Sequence, residues 1–170
     1  METNNYAAID IGSNAARLLI KNVTEDSMGN AEFTKLLFLR IPLRLGKDVF
    51  TLGEISEERQ RMMMCMIKSY KQLMKLYRVE CFRACAKSAM RDARNGEKLL
   101  KKIEKATGIK IEIVTGSEEA RILYNNSIES AERVSGNYAY VDVGGGSTEI
   151  SLLAAMIVYQ IGRASCRERV

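Results

Sequence analysis

The sequence contains no histidine, and this single absence removes several kinds of functional site. A Ser-His-Asp triad, a Cys-His pair and every His-ligated metal site are all excluded. Any catalysis must therefore use carboxylates, lysine, arginine or a metal ion.

Paired cysteines and long apolar runs are lacking as well. Cys65, Cys81, Cys85 and Cys166 show no CxxC spacing, which argues against a zinc site and a disulfide framework, so we expect buried, reduced thiols. No run of eighteen apolar residues exists, and the first eight residues lack the features of a signal peptide. These absences predict a cytoplasmic protein without a membrane partner.

The formal net charge of +5 favours anionic partners only weakly. Basic residues are scattered, and no aromatic residues interleave them as a single-stranded nucleic-acid site would require, so nucleic acid is not an expected partner. Residues 161–170 break the preceding apolar pattern and resemble the translation of a common sequencing adapter. We interpret them as a non-native tail; without its three arginines and one glutamate the net charge is +3.

Hydrophobic periodicity predicts an α/β fold that opens with a strand meander. A helix capped by Ser56 should bury a methionine-rich stripe, and Gly108 should end another helix. A further helix, about 118–134, should be capped by Ser117. The predicted strands are 6–11, 17–23, 33–41, 79–86, 109–114, 138–143 and 148–153, and the second helix covers 97–107.

One internal repeat organises the chain. The segment YAAIDIG at 6–12 recurs as YAYVDVG at 138–144, an offset of 132 residues. In each copy an apolar strand delivers an aspartate near its end, followed by a glycine-containing turn into a second strand. The repeat predicts a first lobe at 1–135 and the beginning of a similar, truncated second lobe at 136–160.

The two repeated turns suit phosphate binding. Small residues let the backbone approach a ligand closely and direct its N–H groups at phosphate oxygens. An ordinary β-turn is the alternative for each turn alone, because isolated glycine motifs are weak signals. The candidate phosphate-binding residues are Gly12, Ser13 and Asn14 in the first turn, and Gly144, Gly145, Gly146, Ser147 and Thr148 in the second.

Four acidic residues and one arginine are candidates for chemistry. Asp10 and Asp142 could hold Mg²⁺ from facing lobes, or each could merely cap its own turn. Glu118 or Glu119 could activate the attacking water, or both could simply interact with a helix dipole. Arg91 could bind a phosphate, or it could be an ordinary surface charge.

Five segments, found between 6 and 153, together resemble the exopolyphosphatase and guanosine pentaphosphate phosphohydrolase family of the actin-like ATPase superfamily. They are AAIDIGSNAARLLI, RLGKDVFTLG, SAMRDARNG, IVTGSEEARILY and YVDVGGGSTEIS, in the family's order and spacing. The resemblance implies an actin-like, ribonuclease H-like lobe with a mixed sheet. It also implies that polyphosphate or guanosine pentaphosphate binds between two lobes and loses its terminal phosphate to water, assisted by Mg²⁺.

The resemblance also implies roles for individual residues. Glu119 corresponds to the catalytic base, and Asp142 with Glu149 lies at the metal and catalytic-water end of the site. Asp10 is a further acidic contributor. Arg91 and the residues of both turns would hold phosphates. Two departures weaken the expected phosphate contacts: Ala15 and Ala16 replace a common hydroxyl, and Lys87 replaces a usual threonine.

Several alternatives stay open at this stage. A phosphotransferase of the same superfamily would share both turns, and an alarmone sensor would bind without turnover. The preference between the two substrates cannot be read from the sequence, and a homodimer of the full-length protein is left open. We expect the 170-residue chain alone to be poorly active, because Ile150 and Leu152 of its last hairpin should lack sheet partners.

Overall fold

The computed structural model of the protein describes residues 2–116, 118–119, 121–122, 138–143, 147–154 and 157–165. The chain forms two compact units, Met1–Ile113 and Val114–Val170. The sequence-based lobe boundary after residue 135 stays a prediction. Within the described residues, no helix has the length and apolar character needed to cross a membrane.

A five-stranded mixed sheet forms the centre of the first unit. Its order is β3-β2-β1-β4-β5, with β2 antiparallel to both of its neighbours, β1 and β3, and with β4 parallel to both β1 and β5. This arrangement confirms the predicted actin-like α/β class. The strands are β1 (Glu2–Ile11), β2 (Ala15–Glu25), β3 (Ala31–Pro42), β4 (Val79–Ala86) and β5 (Glu112–Ile113).

Alternation of apolar residues along the strands builds one buried face of this sheet. In β1, Ala7, Ile9 and Ile11 are buried, and in β2 Leu18 and Ile20 are fully enclosed. Helices, β4 and the connecting segments supply the rest of the core of this unit, and it contains four described helices. They are α1 (Leu45–Leu52), α2 (Glu57–Leu76), α3 (Ser88–Asp92) and α4 (Gly96–Thr107).

Helix α2 begins and packs as the sequence predicts. The Ser56 hydroxyl accepts a hydrogen bond from the backbone N–H of Arg59, which caps the helix. Tyr70 is fully buried, its hydroxyl donates to the carbonyl oxygen of Ala16 at 3.4 Å, and burial raises the pKa of Tyr70 to about 12. The buried methionine-rich stripe is confirmed and consists of Met63, Met66, Ile67, Tyr70 and Met74.

Some local predictions are wrong. The sequence patterns missed α1 and α3, because both helices are short and lack a full apolar stripe. Cys65 and Cys81 are exposed rather than buried. Gly108, by contrast, ends α4 in the left-handed conformation as predicted, with φ at 74°.

The second unit contains a three-stranded antiparallel sheet, which consists of β6 (Tyr138–Val143), β7 (Ser147–Ala154) and β8 (Ile157–Ser165). The predicted pairing of β6 with β7 is confirmed. Strand β7 also pairs with β8, so the expectation that Ile150 and Leu152 lack sheet partners is wrong. The non-native origin of 161–170 stays a prediction, although β8 includes its first five residues.

The 132-residue repeat extends to the register of the two hairpins. In the first hairpin Asp10 is opposite Arg17, and Ile11 is opposite Ala16. In the second, Asp142 is opposite Glu149, and Val143 is opposite Thr148. Every one of these positions is related to its counterpart by the same offset, so both turns have the same length and follow an aspartate at the same strand position.

Candidate functional site

The turn at 12–14 is tied to the rest of the first unit through its backbone. The N–H of Gly12 donates to the carbonyl oxygen of Ala15 at 3.0 Å and closes the turn. The carbonyl oxygens of Ser13 and Asn14 accept hydrogen bonds from the N–H groups of Gly46 and Arg44, both at 2.8 Å. These bonds hold the turn against the start of α1.

Close packing at the start of α1 leaves little room for a side chain at Gly46. A Cβ on Gly46 would lie 3.0 Å from the Cβ of Ser13 and 2.9 Å from a ring carbon of Phe50. Arg44, immediately before the helix, has a left-handed backbone with φ of 52°. The RLG sequence therefore places the helix in direct contact with the turn.

Helix α1 is held by a polar network around Asp48, which is 9% exposed. The carboxylate accepts hydrogen bonds from the Ser56 hydroxyl, from the Ser56 N–H at 3.1 Å and from the Arg59 guanidinium at 3.1 Å. Burial on its own would raise the pKa of Asp48, but these hydrogen bonds and the Arg59 charge outweigh it and hold the pKa below its usual value. Arg59 also donates to the carbonyl oxygen of Leu43, so the network joins α2 to the segment before α1.

A second motif meets the turn through a buried hydroxyl pair. The Oγ atoms of Ser13 and Ser88 lie 3.1 Å apart, although 75 residues separate them in sequence. The N–H of Lys87 also donates to the carbonyl oxygen of Ile11 at 3.0 Å. The SAMRDARNG segment therefore begins directly beside the predicted phosphate turn.

Asp10 lies at the end of β1 between two cations. Its Oδ2 accepts a hydrogen bond from Nη1 of Arg17 at 2.9 Å, and its Oδ1 lies 3.6 Å from Nζ of Lys87. Oδ1 is buried and has no hydrogen-bond donor among the described residues. An oxygen with unused lone pairs at this position fits a role in accepting from metal-bound water.

The metal prediction for Asp10 and Asp142 stays a prediction. Among the described residues, no three acidic or cysteine side chains are grouped closely enough to hold a metal ion. The side chain of Asp142 lies outside what the structure describes.

Arg91 lies within α3, and its side chain is 23% exposed. Its Nε lies 3.5 Å from Oδ1 of Asp92. Because α3 begins at Ser88, beside Ser13, Arg91 is one helical turn from the contact with the phosphate turn. Its predicted contact with phosphate stays a prediction.

Glu119 lies at the start of a helical segment that contains Gly116, Glu118 and Glu119. The Thr115 hydroxyl accepts from the N–H of Glu118 at 3.2 Å, and the Thr115 carbonyl accepts from the N–H of Glu119 at 2.9 Å. Thr115 therefore caps this helical segment, and the predicted cap, Ser117, lies outside the described residues. Hydroxyl residues flank Gly116 on both sides in the sequence, and the helix begins at Gly116, two residues before the predicted start at 118.

The two adjacent glutamates differ in their surroundings. Glu119 is only 8% exposed, whereas the Glu118 side chain is 27% exposed and lies 3.4 Å from Arg121. A buried carboxylate is better suited to a specific chemical role than one in a surface ion pair. Burial therefore favours Glu119 over Glu118 as the functional residue.

The second repeated turn is described only at its two ends. Asp142 and Glu149, both predicted site residues, occupy directly opposite positions in β6 and β7. Ser147 and Thr148 begin β7, and Gly144, Gly145 and Gly146 lie outside the described residues. The strand register thus makes the two predicted acidic residues, Asp142 and Glu149, neighbours across the hairpin.

Sequence reasoning missed four residues that the structure places around the first turn. Arg17 and Lys87 contact Asp10, Ser88 contacts Ser13, and Gly46 packs against Ser13. Arg17 could have been found, because a two-strand hairpin with a short turn fixes which residue lies opposite Asp10. The other three depend on contacts between distant segments, which no local pattern specifies.

Comparison with known proteins identifies a family. The model of the Ppx/GppA phosphatase family matches residues 22–162. The bifunctional 3-dehydroquinate synthase/phosphatase of Fusobacterium nucleatum is 36% identical over 158 residues, which are 88% of this chain and 23% of that protein. Exopolyphosphatase 2 of Mycobacterium tuberculosis is 29% identical and covers 89% of this chain.

Solved structures agree with these similarities. A crystal structure of the Aquifex aeolicus member of the Ppx/GppA family has a TM-score of 0.80 and 29% identity, covering 96% of this chain and 52% of that one. An exopolyphosphatase from Cytophaga hutchinsonii has a TM-score of 0.78 and 25% identity, covering 94% and 51%. The chain thus spans about half the length of these structures, and 49% of the mycobacterial relative.

Proposed function

The chain belongs to the Ppx/GppA phosphatase family, and we propose that its complete protein is a hydrolase that releases the terminal phosphate of inorganic polyphosphate or guanosine pentaphosphate. Support for the substrate class comes from the names of two relatives. One is exopolyphosphatase 2, and the other is a guanosine-5'-triphosphate,3'-diphosphate pyrophosphatase of Photobacterium profundum, which is 28% identical over 169 residues. That second match covers 96% of this chain and 33% of the relative.

The observation that carries the proposal is the contact between Ser13 and Ser88. It joins the glycine-containing turn after β1 to the segment that contains Arg91. Both elements have the chemistry of phosphate recognition, because the turn offers backbone N–H groups and the arginine offers a guanidinium fork. Two such elements in contact support a phosphate site better than either element alone.

Hydrolysis needs a group that accepts a proton from the attacking water. With no histidine in the chain, a carboxylate is the natural base, and we assign this role to Glu119. Its burial supports the assignment, because a carboxylate enclosed by protein is held in a defined position, as a general base must be. Asp142 and Glu149, opposite each other in the second hairpin, are proposed to orient the same water.

The remaining proposed residues bind and orient the substrate. Gly12, Ser13 and Asn14 form the turn that holds one phosphate through the backbone N–H groups of Ser13 and Asn14, since the N–H of Gly12 closes the turn onto Ala15. Arg91 binds another oxygen of the phosphate to be released. The second turn, Gly144 to Thr148, is proposed to act in the same way. Little covalent chemistry is required of the protein in phosphoryl transfer, since positioning and charge stabilisation lower the barrier.

Asp10 is proposed to contribute to a Mg²⁺ site together with Asp142. Its buried Oδ1, without a hydrogen-bond donor among the described residues, fits a water ligand of the metal. When bound, Mg²⁺ would neutralise phosphate oxygens and align them for attack. Arg17 and Lys87 hold the Asp10 carboxylate in place through two ion pairs.

The proposal is tested with the protein produced from its complete coding sequence. Phosphate release from long-chain polyphosphate and from guanosine pentaphosphate is measured for the wild type, for Glu119→Gln and for Glu118→Gln as the matched control. We expect Glu119→Gln to lose about 10²–10⁴-fold in kcat while substrate binding is retained, because an amide cannot take a proton. Wild-type turnover in Glu119→Gln would remove Glu119 from the mechanism, and no release by the wild type would refute the function.

The 170-residue chain by itself is proposed to bind phosphate compounds but to turn them over slowly. The match with the Aquifex structure includes 96% of this chain but only 52% of the Aquifex chain. The relatives therefore have further residues that can complete the site. Comparison of kcat for the short chain and the complete protein tests this point. Equal kcat values would contradict it.

A further inference from the structure

A cavity of about 260 Å³ opens next to the first turn, and three of its five lining residues are cationic. The side chains of Arg40, Arg44 and Lys47 line it together with Asn14 and Pro42. Arg40 lies near the end of β3, Arg44 immediately precedes α1, and Lys47 lies in the first turn of α1. One short stretch, from the end of β3 to the first turn of α1, therefore places three positive charges around one space.

None of these three cations is neutralised within the part of the chain that the structure describes. Arg40, Arg44 and Lys47 form no ion pair and no side-chain hydrogen bond there, whereas Arg17, Arg59 and Arg83 each contact a carboxylate. Like charges held close together repel one another. An anion in the cavity would remove this repulsion.

The register of the sheet adds a fourth positive charge nearby. Arg40 in β3 lies directly opposite Arg17 in β2, and like charges opposite each other destabilise a strand pair. Arg17 is compensated by Asp10 at 2.9 Å, but Arg40 has no such partner among the described residues. Within this pair, the arginine without a compensating carboxylate among the described residues is therefore Arg40, which lines the cavity.

The cavity adjoins the proposed phosphate turn through Asn14. Asn14 is exposed and lines the cavity, and its backbone carbonyl oxygen accepts a hydrogen bond from the N–H of Arg44 at 2.8 Å. A phosphate held by the turn at 12–14 would therefore have this cavity beside it. At about 30 Å³ for each water of bulk liquid, the cavity has room for a hydrated phosphate group.

We propose that the cavity lined by Asn14, Arg40, Arg44 and Lys47 is a second anion subsite, which holds further phosphate groups of the same substrate. The inference rests on the proposed function for its choice of ligand. The ligand would be either further phosphate groups of a chain or a separate diphosphate on a nucleoside, since both offer several oxygens to lysine and arginine. The subsite extends the phosphate turn and selects substrates with more phosphates than the turn alone can bind.

The test uses the complete protein with Arg44→Asn and Lys47→Gln combined. Asparagine at 44 tolerates the left-handed backbone, and both positions are exposed, so the fold should be kept. Lys98→Gln with Lys101→Gln is the matched control, because it removes two exposed positive charges from α4, outside the cavity. KM and kcat are measured with long-chain polyphosphate, guanosine pentaphosphate and tripolyphosphate.

We expect the cavity variant to raise KM about tenfold for the long chain, with kcat unchanged, since two lost contacts of about 0.7 kcal/mol each amount to that factor. The KM of the cavity variant for tripolyphosphate should change by less than about twofold. The KM of the control variant should change by less than about twofold for every substrate. A rise confined to guanosine pentaphosphate would also support the subsite and would assign it to the nucleoside diphosphate. An unchanged KM for both long substrates, or an equal rise for tripolyphosphate, would overturn the inference.

Failure of the proposed function can be told apart from failure of the subsite. If the wild type releases no phosphate, the function is refuted and the subsite is judged by equilibrium binding of labelled long-chain polyphosphate. Binding weakened about tenfold in the cavity variant alone would still support it. Equal binding by the wild type and both variants would overturn it.

Discussion

The hydroxyl oxygens of Ser13 and Ser88 lie 3.1 Å apart in a buried position and connect two segments that are 75 residues apart in the chain. Ser13 is in the turn after β1, and Ser88 begins α3. Because both hydroxyls are buried, each depends on a hydrogen-bond partner within the protein. The pair thus fixes the proposed phosphate turn relative to the segment that carries Arg91.

Replacement of either serine by alanine should cost about 1 kcal/mol in the free energy of unfolding, because it leaves one buried hydroxyl without this partner. The double variant should cost less than the sum of the two single variants, with a coupling of about 0.5 kcal/mol or more. Urea denaturation of the four proteins in this cycle measures the coupling. Strict additivity would show that the two hydroxyls do not stabilise each other.

Gly46→Ala should destabilise the protein by about 1–3 kcal/mol, since the new methyl group would press on Ser13 and Phe50. Gly96→Ala should cost more, because the added Cβ would lie 2.1 Å from the carbonyl oxygen of Met90, and backbone cannot rotate away as a ring can. Thermal unfolding ranks the two variants. The reverse order would contradict the packing described for these helices.

Asp48→Asn should lower stability at pH 7 by about 1–3 kcal/mol, because the hydrogen bonds from Ser56 and Arg59 favour the charged carboxylate. The folded-state pKa of Asp48 is below the usual 3.8, so its stabilising effect is present above that pH and is lost as the pH falls through the folded value. The difference between wild type and variant should therefore shrink as the pH is lowered from 7 towards and below 3.8. Denaturation curves across this range measure it, and a difference that grows on acidification would contradict the assignment.

Removal of divalent metal with EDTA should abolish phosphate release, and added Mg²⁺ should restore it. In Asp10→Asn, the Mg²⁺ concentration for half-maximal activity should rise about tenfold or more, as expected when a residue that orients metal ligands is lost. Glu104→Gln, at an exposed position of α4, is the matched control and should leave the Mg²⁺ requirement unchanged. Activity that survives EDTA would remove the metal from the account.

Much of the first unit could be predicted from the sequence, because its elements have strong local signals. Strand β4 was predicted with the observed bounds, and Ser56 and Gly108 mark helix ends through capping chemistry that acts over three or four residues. The repeat predicted equivalent aspartates, and the identical register of the two hairpins agrees with it.

The surroundings of the site could not be predicted in the same way. The contact of Gly46 with Ser13 and that of Lys87 with Asp10 depend on how α1 and β4 pack against the β1 strand, which is a property of the tertiary structure. The exposed Cys81 shows the same limit. The pattern of residues around Cys81 predicts a strand but does not reveal which face of the sheet is covered.

The claim that most needs a direct measurement is hydrolysis of phosphoanhydride bonds in polyphosphate or guanosine pentaphosphate. The complete protein is given long-chain polyphosphate, guanosine pentaphosphate and ATP in parallel, and kcat/KM for phosphate release is determined for each. We expect at least one of the first two to exceed ATP by about tenfold or more, which corresponds to about 1.4 kcal/mol of preferential transition-state binding. Phosphate release from ATP alone would contradict the account.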